Sequence, residues 1–121
     1  KGEWFLLTLK NIDFMSQMLP NVSKASQSLD VSVLHTLILE KIFGIDKENM
    51  AKQINLTYTK FFTEAIDGVD KGEFQCSFVL NPTRVTEIRD VAAAGEKMPQ
   101  KSTYFYPKMI TGMVMNNLGV D

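Results

Sequence analysis

Two strand-like runs, each followed by a helix-like run, lie in succession in the middle of the chain, and this order constrains the fold most. Residues 54–59 alternate between apolar and polar side chains, as in a half-buried strand, and residues 61–71 then carry apolar side chains at helical spacing. Residues 74–80 repeat the strand pattern and residues 82–94 repeat the helical one. The middle of the chain therefore predicts a fold with both helices and a sheet.

The flanking regions add further elements to this order. Residues 4–9 are apolar at both alternating sets of positions, which predicts a strand buried on both faces, and residues 12–19 and 30–43 predict helices. Two closing strands are predicted near 103–106 and 109–115. Their connection is too short for a crossover helix, so they form a tight hairpin or one bent strand. We predict a single α+β domain with a mixed sheet of four or five strands and about four helices.

The helix predicted over residues 30–43 has the clearest pattern. Asp30 is placed to cap its first amides, and Gly44 is placed to end it. His35 flanks the apolar stripe, where a half-buried packing residue is the alternative to a catalytic base, and it is a secondary site candidate. The stripe predicted to be buried consists of Leu34, Leu37, Ile38 and Ile42.

Two connecting segments carry further predictions. Residues 20–29 are polar and without a period, which predicts a mobile loop. Asn81, directly before Pro82, is predicted to cap the helix over 82–94. Because such strand-to-helix turns often hold negatively charged ligands, Asn81 is a second secondary site candidate.

Composition excludes several classes of partner. A chain of 121 residues suits one domain, and 13 basic against 14 acidic residues give a net charge of −1 without a basic stripe. We therefore expect no nucleic-acid partner. No apolar run is long enough to cross a membrane, so we expect no membrane partner and a cytoplasmic location.

The single cysteine limits metal and redox chemistry. Cys76 cannot form an internal disulfide, and with one histidine in the chain a zinc site would need carboxylates, so no metal site is predicted. The alternating pattern around Cys76 predicts a small buried side chain. No phosphate-binding loop, dinucleotide fingerprint or nucleophile elbow is present, and the sequence leaves any cofactor unknown.

The main candidate site lies in residues 95–114, where lysines, hydroxyl groups and tyrosines are spaced by Pro99 and Pro107. Prolines restrict the backbone on both sides, and a fixed cationic segment suits a small anionic ligand. The alternative is an edge strand with solvated lysines. All the side chains can converge only if the chain turns near residues 99–102, because successive side chains of a strand point to opposite faces. The candidate ligands of the anion are Lys101, Ser102, Thr103, Tyr104 and Lys108.

Three segments resemble one known family. They are residues 34–40, 78–83 and 98–108, which read LHTLILE, FVLNPT and MPQKSTYFYPK. They resemble the C-terminal part of a prokaryotic family called domain of unknown function one thousand and fifteen, over nearly the whole chain from Leu29. The resemblance implies a longer parent whose N-terminal part carries an Asp-Gly-His-His-Arg motif similar to that of the ParB and sulfiredoxin superfamily, which includes nucleotide-dependent free-serine kinases. That motif is not in this sequence.

Two functional hypotheses remain open at this point. The chain opens on Lys1 rather than Met, and we expect an excised C-terminal domain over residues 1–121 that packs on the N-terminal part of its parent. The first hypothesis is the C-terminal part of a nucleotide-using small-molecule enzyme, kinase-like by analogy. The second is a non-catalytic module for packing or self-association.

Overall fold

The computed structural model describes residues 2–104, which contain helices and no strand. The predicted α+β fold with a mixed sheet is therefore wrong for this part of the chain. Residues 105 and beyond, with most of the two closing strands, lie outside the described residues. The helices are α1 (Asp13–Met18), α2 (Lys24–Gln27), α3 (Asp30–Val33), which continues into a π-helical segment (Leu34–Glu40), α4 (Lys47–Lys52), α5 (Phe62–Asp70) and α6 (Val85–Ala93).

The three runs predicted as strands before residue 100 do not pair with one another. Within residues 2–104, no backbone–backbone hydrogen bond involves residues 4–9. The other two runs begin by closing the preceding helix, since the N–H of Ile54 donates to the carbonyl of Asn49 at 3.2 Å and that of Phe74 to the carbonyl of Gly68 at 3.1 Å. An alternating pattern indicates which side chains favour burial. A strand also requires a neighbouring strand with which its backbone N–H and C=O groups can form hydrogen bonds.

All four predicted helices are confirmed, although two begin differently from the prediction. Leu29, rather than Asp30, occupies the N-cap position of α3. Helix α6 begins at Val85, and its Glu87 carboxylate accepts a hydrogen bond from the backbone N–H of Arg84 at 2.7 Å. This acidic side chain satisfies an amide at the helix start, the role that had been predicted for Asn81.

The hydrophobic core joins α2, α3 and α6. Leu29, Val31 and Val91 are buried together, with Ala25 and Met98 packed against them. Much of the segment predicted as a mobile loop, residues 20–29, is part of this structure, since it contains α2 and the buried Leu29. Its mobility stays a prediction.

The π-helical segment changes which face of the third helix is buried. The N–H of Phe43 donates to the carbonyl of Ile38 at 3.0 Å, five residues back instead of four. The π-helical segment contains Leu39 and ends just before Ile42, and its wider turns rotate side chains relative to a regular α-helix. Leu39 is buried and Ile42 is 73% exposed, whereas Leu34, Leu37 and Ile38 are half-buried, so the predicted buried stripe is wrong at Ile42 and omits Leu39.

Candidate functional site

The chain turns sharply between Pro99 and Ser102. Both the backbone N–H and the hydroxyl of Ser102 donate to the carbonyl of Pro99, at 3.3 and 2.6 Å. Lys101 lies inside this turn, between Pro99 and Ser102. Its φ of 59° is a left-handed conformation that is uncommon for residues other than glycine. The hydroxyl of Thr83 donates to the carbonyl of Ser102 at 3.0 Å and holds the turn against the segment before α6.

An open pocket of about 360 Å³ lies beside this turn. It is formed by the 99–104 region on one side and by residues 53–64 on the other. Three of the predicted anion ligands, Lys101, Thr103 and Tyr104, line it together, and Ser102 does not. The full lining is Gln53, Tyr58, Thr59, Lys60, Phe61, Glu64, Lys101, Thr103 and Tyr104.

Lys60 is the pocket cation that sequence reasoning missed, along with the other lining residues between positions 53 and 64. Its ammonium group donates a hydrogen bond to the Tyr104 hydroxyl at 2.9 Å. The same group lies 4.1 Å from the centre of the Tyr104 ring and 5.0 Å from that of Phe61, both within the range of cation–π attraction. The available signal was a lysine between a threonine and two phenylalanines, which does not distinguish a site from a solvated surface.

The pocket carries a surplus of positive charge. Lys60 and Lys101 line it, against one acidic residue, Glu64, whose carboxylate accepts a hydrogen bond from the hydroxyl of Thr59. Within residues 2–104 the ion pairs join Lys52 to Glu48 and Arg89 to Asp90. Neither pocket lysine is therefore neutralised by a carboxylate in the described part of the chain.

Two unusual backbone conformations occur at this pocket. Among residues 2–104, Gln53 and Lys101 are the residues other than glycine with positive φ, at 51° and 59°, and both line it. Gln53 has a local reason, because it ends α4 in a left-handed cap. Lys101 has no helix to end. Strained residues of this kind are enriched at ligand sites, where the surrounding contacts hold them.

The remaining site candidates lie elsewhere or outside the described residues. His35 is half-buried in the π-helical segment, and this burial lowers the pKa of its imidazole. The amide of Asn81 donates to the carboxylate of Asp30 at 2.8 Å. Neither residue lines the pocket beside Lys101. Lys108 is outside the described residues.

A second depression, of about 500 Å³, lies beside residues 8–17. Its lining includes Lys10 and Asp13, whose charges oppose each other. This depression lacks the paired cations of the other pocket and is a poorer site for an anion.

The described residues contain neither a buried cysteine, nor a cluster of metal ligands, nor a membrane-spanning helix. Cys76 is exposed, so its predicted burial is wrong. Between residues 2 and 104 the acidic, histidine and cysteine side chains form no group of three or more that could hold a metal ion. None of the helices found in that range has the length and apolar character needed to cross a membrane.

Large apolar side chains are unusually prominent on the described surface. Six hydrophobic residues are buried, whereas sixteen large hydrophobic residues are exposed. The densest run is residues 4–7, where Leu6 is 94% exposed and Trp4 stacks on Phe62 with ring centres 6.1 Å apart. Exposed apolar surface on this scale is typical of an interaction site.

No family model matches the chain, and no curated protein or solved structure matches it either. The function is therefore inferred from the pocket and from the exposed apolar surface.

Proposed function

We propose that this chain contributes an anion-binding pocket to a longer, cytoplasmic small-molecule enzyme. The observation that carries the proposal is the position of Lys60 and Lys101, which are far apart in sequence and line the same pocket. The resemblance of residues 98–108 to the C-terminal part of a prokaryotic family is consistent with this role and is part of the proposal.

The two lysines would hold the anion by complementary contributions. Lys60 is oriented by the Tyr104 hydroxyl, at 2.9 Å, and keeps further N–H groups for a ligand. Lys101 is held at the tip of a turn, so its side chain starts from a fixed point of the backbone. The hydroxyl of Thr103 is a third donor on the same pocket wall. Together these groups suit a phosphate or a carboxylate.

The backbone of the turn contributes little to anion binding. A turn can present free amides to an anion, but the N–H of Ser102 is already donated to the carbonyl of Pro99. The Ser102 hydroxyl is donated to the same oxygen. Recognition is therefore assigned to side-chain charge rather than to a backbone nest.

Titration of the 121-residue chain with inorganic phosphate by NMR tests the proposal. We expect shifts confined to the residues around the pocket, and we expect Lys101→Ala to weaken binding about ten-fold or more, because a charge-assisted hydrogen bond is worth roughly 1.5–3 kcal/mol. Lys97→Ala is the matched control, since Lys97 is exposed nearby and does not line the pocket. Equal weakening by both variants would show only a general effect of charge and would contradict the pocket.

A second candidate function is packing without catalysis, favoured by the sixteen large hydrophobic residues that are exposed within residues 2–104. In this case the apolar surface around residues 4–7 packs either against the N-terminal part of a longer parent protein or against a second copy of the chain. Trp4 is the only tryptophan and is 68% exposed, so its fluorescence reports directly on this surface.

Trp4 emission measured over a range of chain concentrations separates the two packing partners. A blue shift on concentration, with dimers seen by analytical ultracentrifugation, would indicate self-association. Emission typical of exposed tryptophan at every concentration, with a blue shift only when the N-terminal part of the parent is added, would indicate packing on that part. No shift in either experiment would exclude this function.

A further inference from the structure

We propose that the pocket beside Lys101 binds a phosphate ester of a flat aromatic ring, with Lys60 holding the phosphate and Tyr104 stacking on the ring. This inference rests on the anion-binding function proposed above and deepens it. It is carried by the aromatic side chains of the pocket, which a bare anion would not use.

Three aromatic side chains, Tyr58, Phe61 and Tyr104, line this one pocket of about 360 Å³. Phe61 is 52% exposed and Tyr104 is 55% exposed, so much of their ring surface faces the solvent. Exposed ring surface is unfavourable in water and becomes favourable when a second ring covers it. Inorganic phosphate is too small and too polar to cover it.

The position of Lys60 relates the charge to the rings. Its ammonium group lies 4.1 Å from the centre of the Tyr104 ring and 5.0 Å from that of Phe61. A negative group that binds this ammonium must therefore lie next to an aromatic surface. In an aryl phosphate a single oxygen atom joins the phosphorus to the ring, so the ligand has the same close arrangement of charge and ring.

The alternative is that Lys60 only packs on two exposed rings, as surface lysines often do. Both interpretations predict the observed distances. They differ in whether an added ring increases the affinity of a phosphate, and in whether that gain depends on Tyr104.

The test compares three probes on the 121-residue chain by isothermal titration: inorganic phosphate, phenyl phosphate and cyclohexyl phosphate. The last two have rings of similar size, and only the phenyl ring is flat and aromatic. We expect phenyl phosphate to bind about two- to tenfold more tightly than cyclohexyl phosphate, the range of an aromatic pair beyond its simple burial.

Two variants assign the preference to Tyr104. Tyr104→Leu should bring phenyl and cyclohexyl phosphate to equal affinity, whereas Tyr104→Phe should keep the preference because the ring remains and only the hydroxyl is lost. The side chain is 55% exposed, so neither change removes a buried group. Far-ultraviolet circular dichroism checks that the helix content is unchanged.

The outcomes separate this inference from the function on which it rests. If phenyl and cyclohexyl phosphate bind with equal affinity, the aromatic ligand is wrong and the anion pocket stands. If phenyl phosphate is preferred and Tyr104→Leu keeps that preference, Tyr104 does not stack on the ring and this part of the inference is wrong. If no probe binds, the anion pocket is wrong and the aromatic ligand is wrong with it.

Discussion

The carboxylate of Glu96 accepts hydrogen bonds from both the backbone N–H and the hydroxyl of Ser23, at 2.7 Å each, across 73 residues of sequence. The hydroxyl of Ser26 donates to the same carboxylate. Ser23 is also the N-cap of α2, where its hydroxyl accepts a hydrogen bond from the N–H of Ser26. One acidic side chain just after α6 therefore fixes the start of α2 and joins the two helices.

We expect this contact to make the stability of the fold depend on pH in the acidic range. The hydroxyl of Ser26, followed by the hydroxyl and N–H of Ser23, lowers the pKa of Glu96 in the folded state. A lowered folded-state pKa adds stability that is complete above the unfolded-state pKa and is lost as the pH falls through the folded-state pKa.

Urea unfolding of the wild type and of Glu96→Gln, from neutral pH down to strongly acidic pH, measures this effect. The variant should be less stable than the wild type at neutral pH, and the difference should close as the carboxyl group becomes protonated. Glu73→Gln, at an exposed carboxylate, is the control. A difference between Glu96→Gln and the wild type that stays constant with pH would contradict the assignment.

Core substitutions should follow the observed burial rather than the predicted stripe. Leu29 is 2% exposed, so Leu29→Ala should cost about 2–5 kcal/mol in the free energy of unfolding. Ile42 was predicted to be buried and is 73% exposed, so Ile42→Ala should cost less than about 1 kcal/mol. Urea unfolding midpoints of the two variants provide the measurement, and equal costs would place Ile42 in the core after all.

The sequence predicted four helices because their signal is local, and it did not predict the short helices α2 and α4. Apolar side chains three and four residues apart specify a buried helical face without reference to distant parts of the chain. The strands failed for the opposite reason, since residues 4–9 have a strand pattern but no backbone partner within residues 2–104. The contact of Glu96 with Ser23 is also non-local, and nothing in a polar segment such as residues 20–29 indicates a carboxylate so far away in sequence.

The candidate site, like the fold, could be predicted only where the signal is local in sequence. Convergence of its side chains required a turn near residues 99–102, and a turn is found there, with Lys101, Thr103 and Tyr104 on one pocket. Whether they bind an anion stays a prediction. Lys60 could not be assigned from the sequence, because its nearness to Tyr104 depends on how two distant segments pack.

The effect of Gly68→Ala on stability should change sign when the Phe74 ring is removed. A Cβ atom at Gly68 would lie 2.6 and 2.9 Å from two carbons of the Phe74 ring, so Gly68→Ala must displace this ring from α5. We expect net destabilisation, because the displaced ring, which is 41% exposed, loses its remaining burial against α5, and we expect this loss to exceed the gain of at most about 1 kcal/mol in helix propensity.

Removing the ring should reverse the effect of this substitution. In a Phe74→Ala background, Gly68→Ala should stabilise the chain by up to about 1 kcal/mol, since only the propensity gain remains. Thermal unfolding of the four proteins in this cycle gives the coupling between the two sites. The same effect of Gly68→Ala in both backgrounds would show that Phe74 does not pack on α5.

The last prediction concerns Asp30, which the sequence placed as a helix cap and the structure places in the first turn of α3. There its charge stabilises the helix start, typically by 0.3–1 kcal/mol, and its carboxylate accepts the amide of Asn81 at 2.8 Å. Asp30→Ala should therefore cost about 1 kcal/mol, and Asn81→Ala should cost less, because it removes one exposed hydrogen bond and leaves the charge. The double variant should lose less free energy of unfolding than the two single variants lose together, as measured by urea unfolding. If Asn81→Ala has no effect and the two costs are additive, Asp30 acts on α3 alone and the link between residues 30 and 81 contributes nothing to stability.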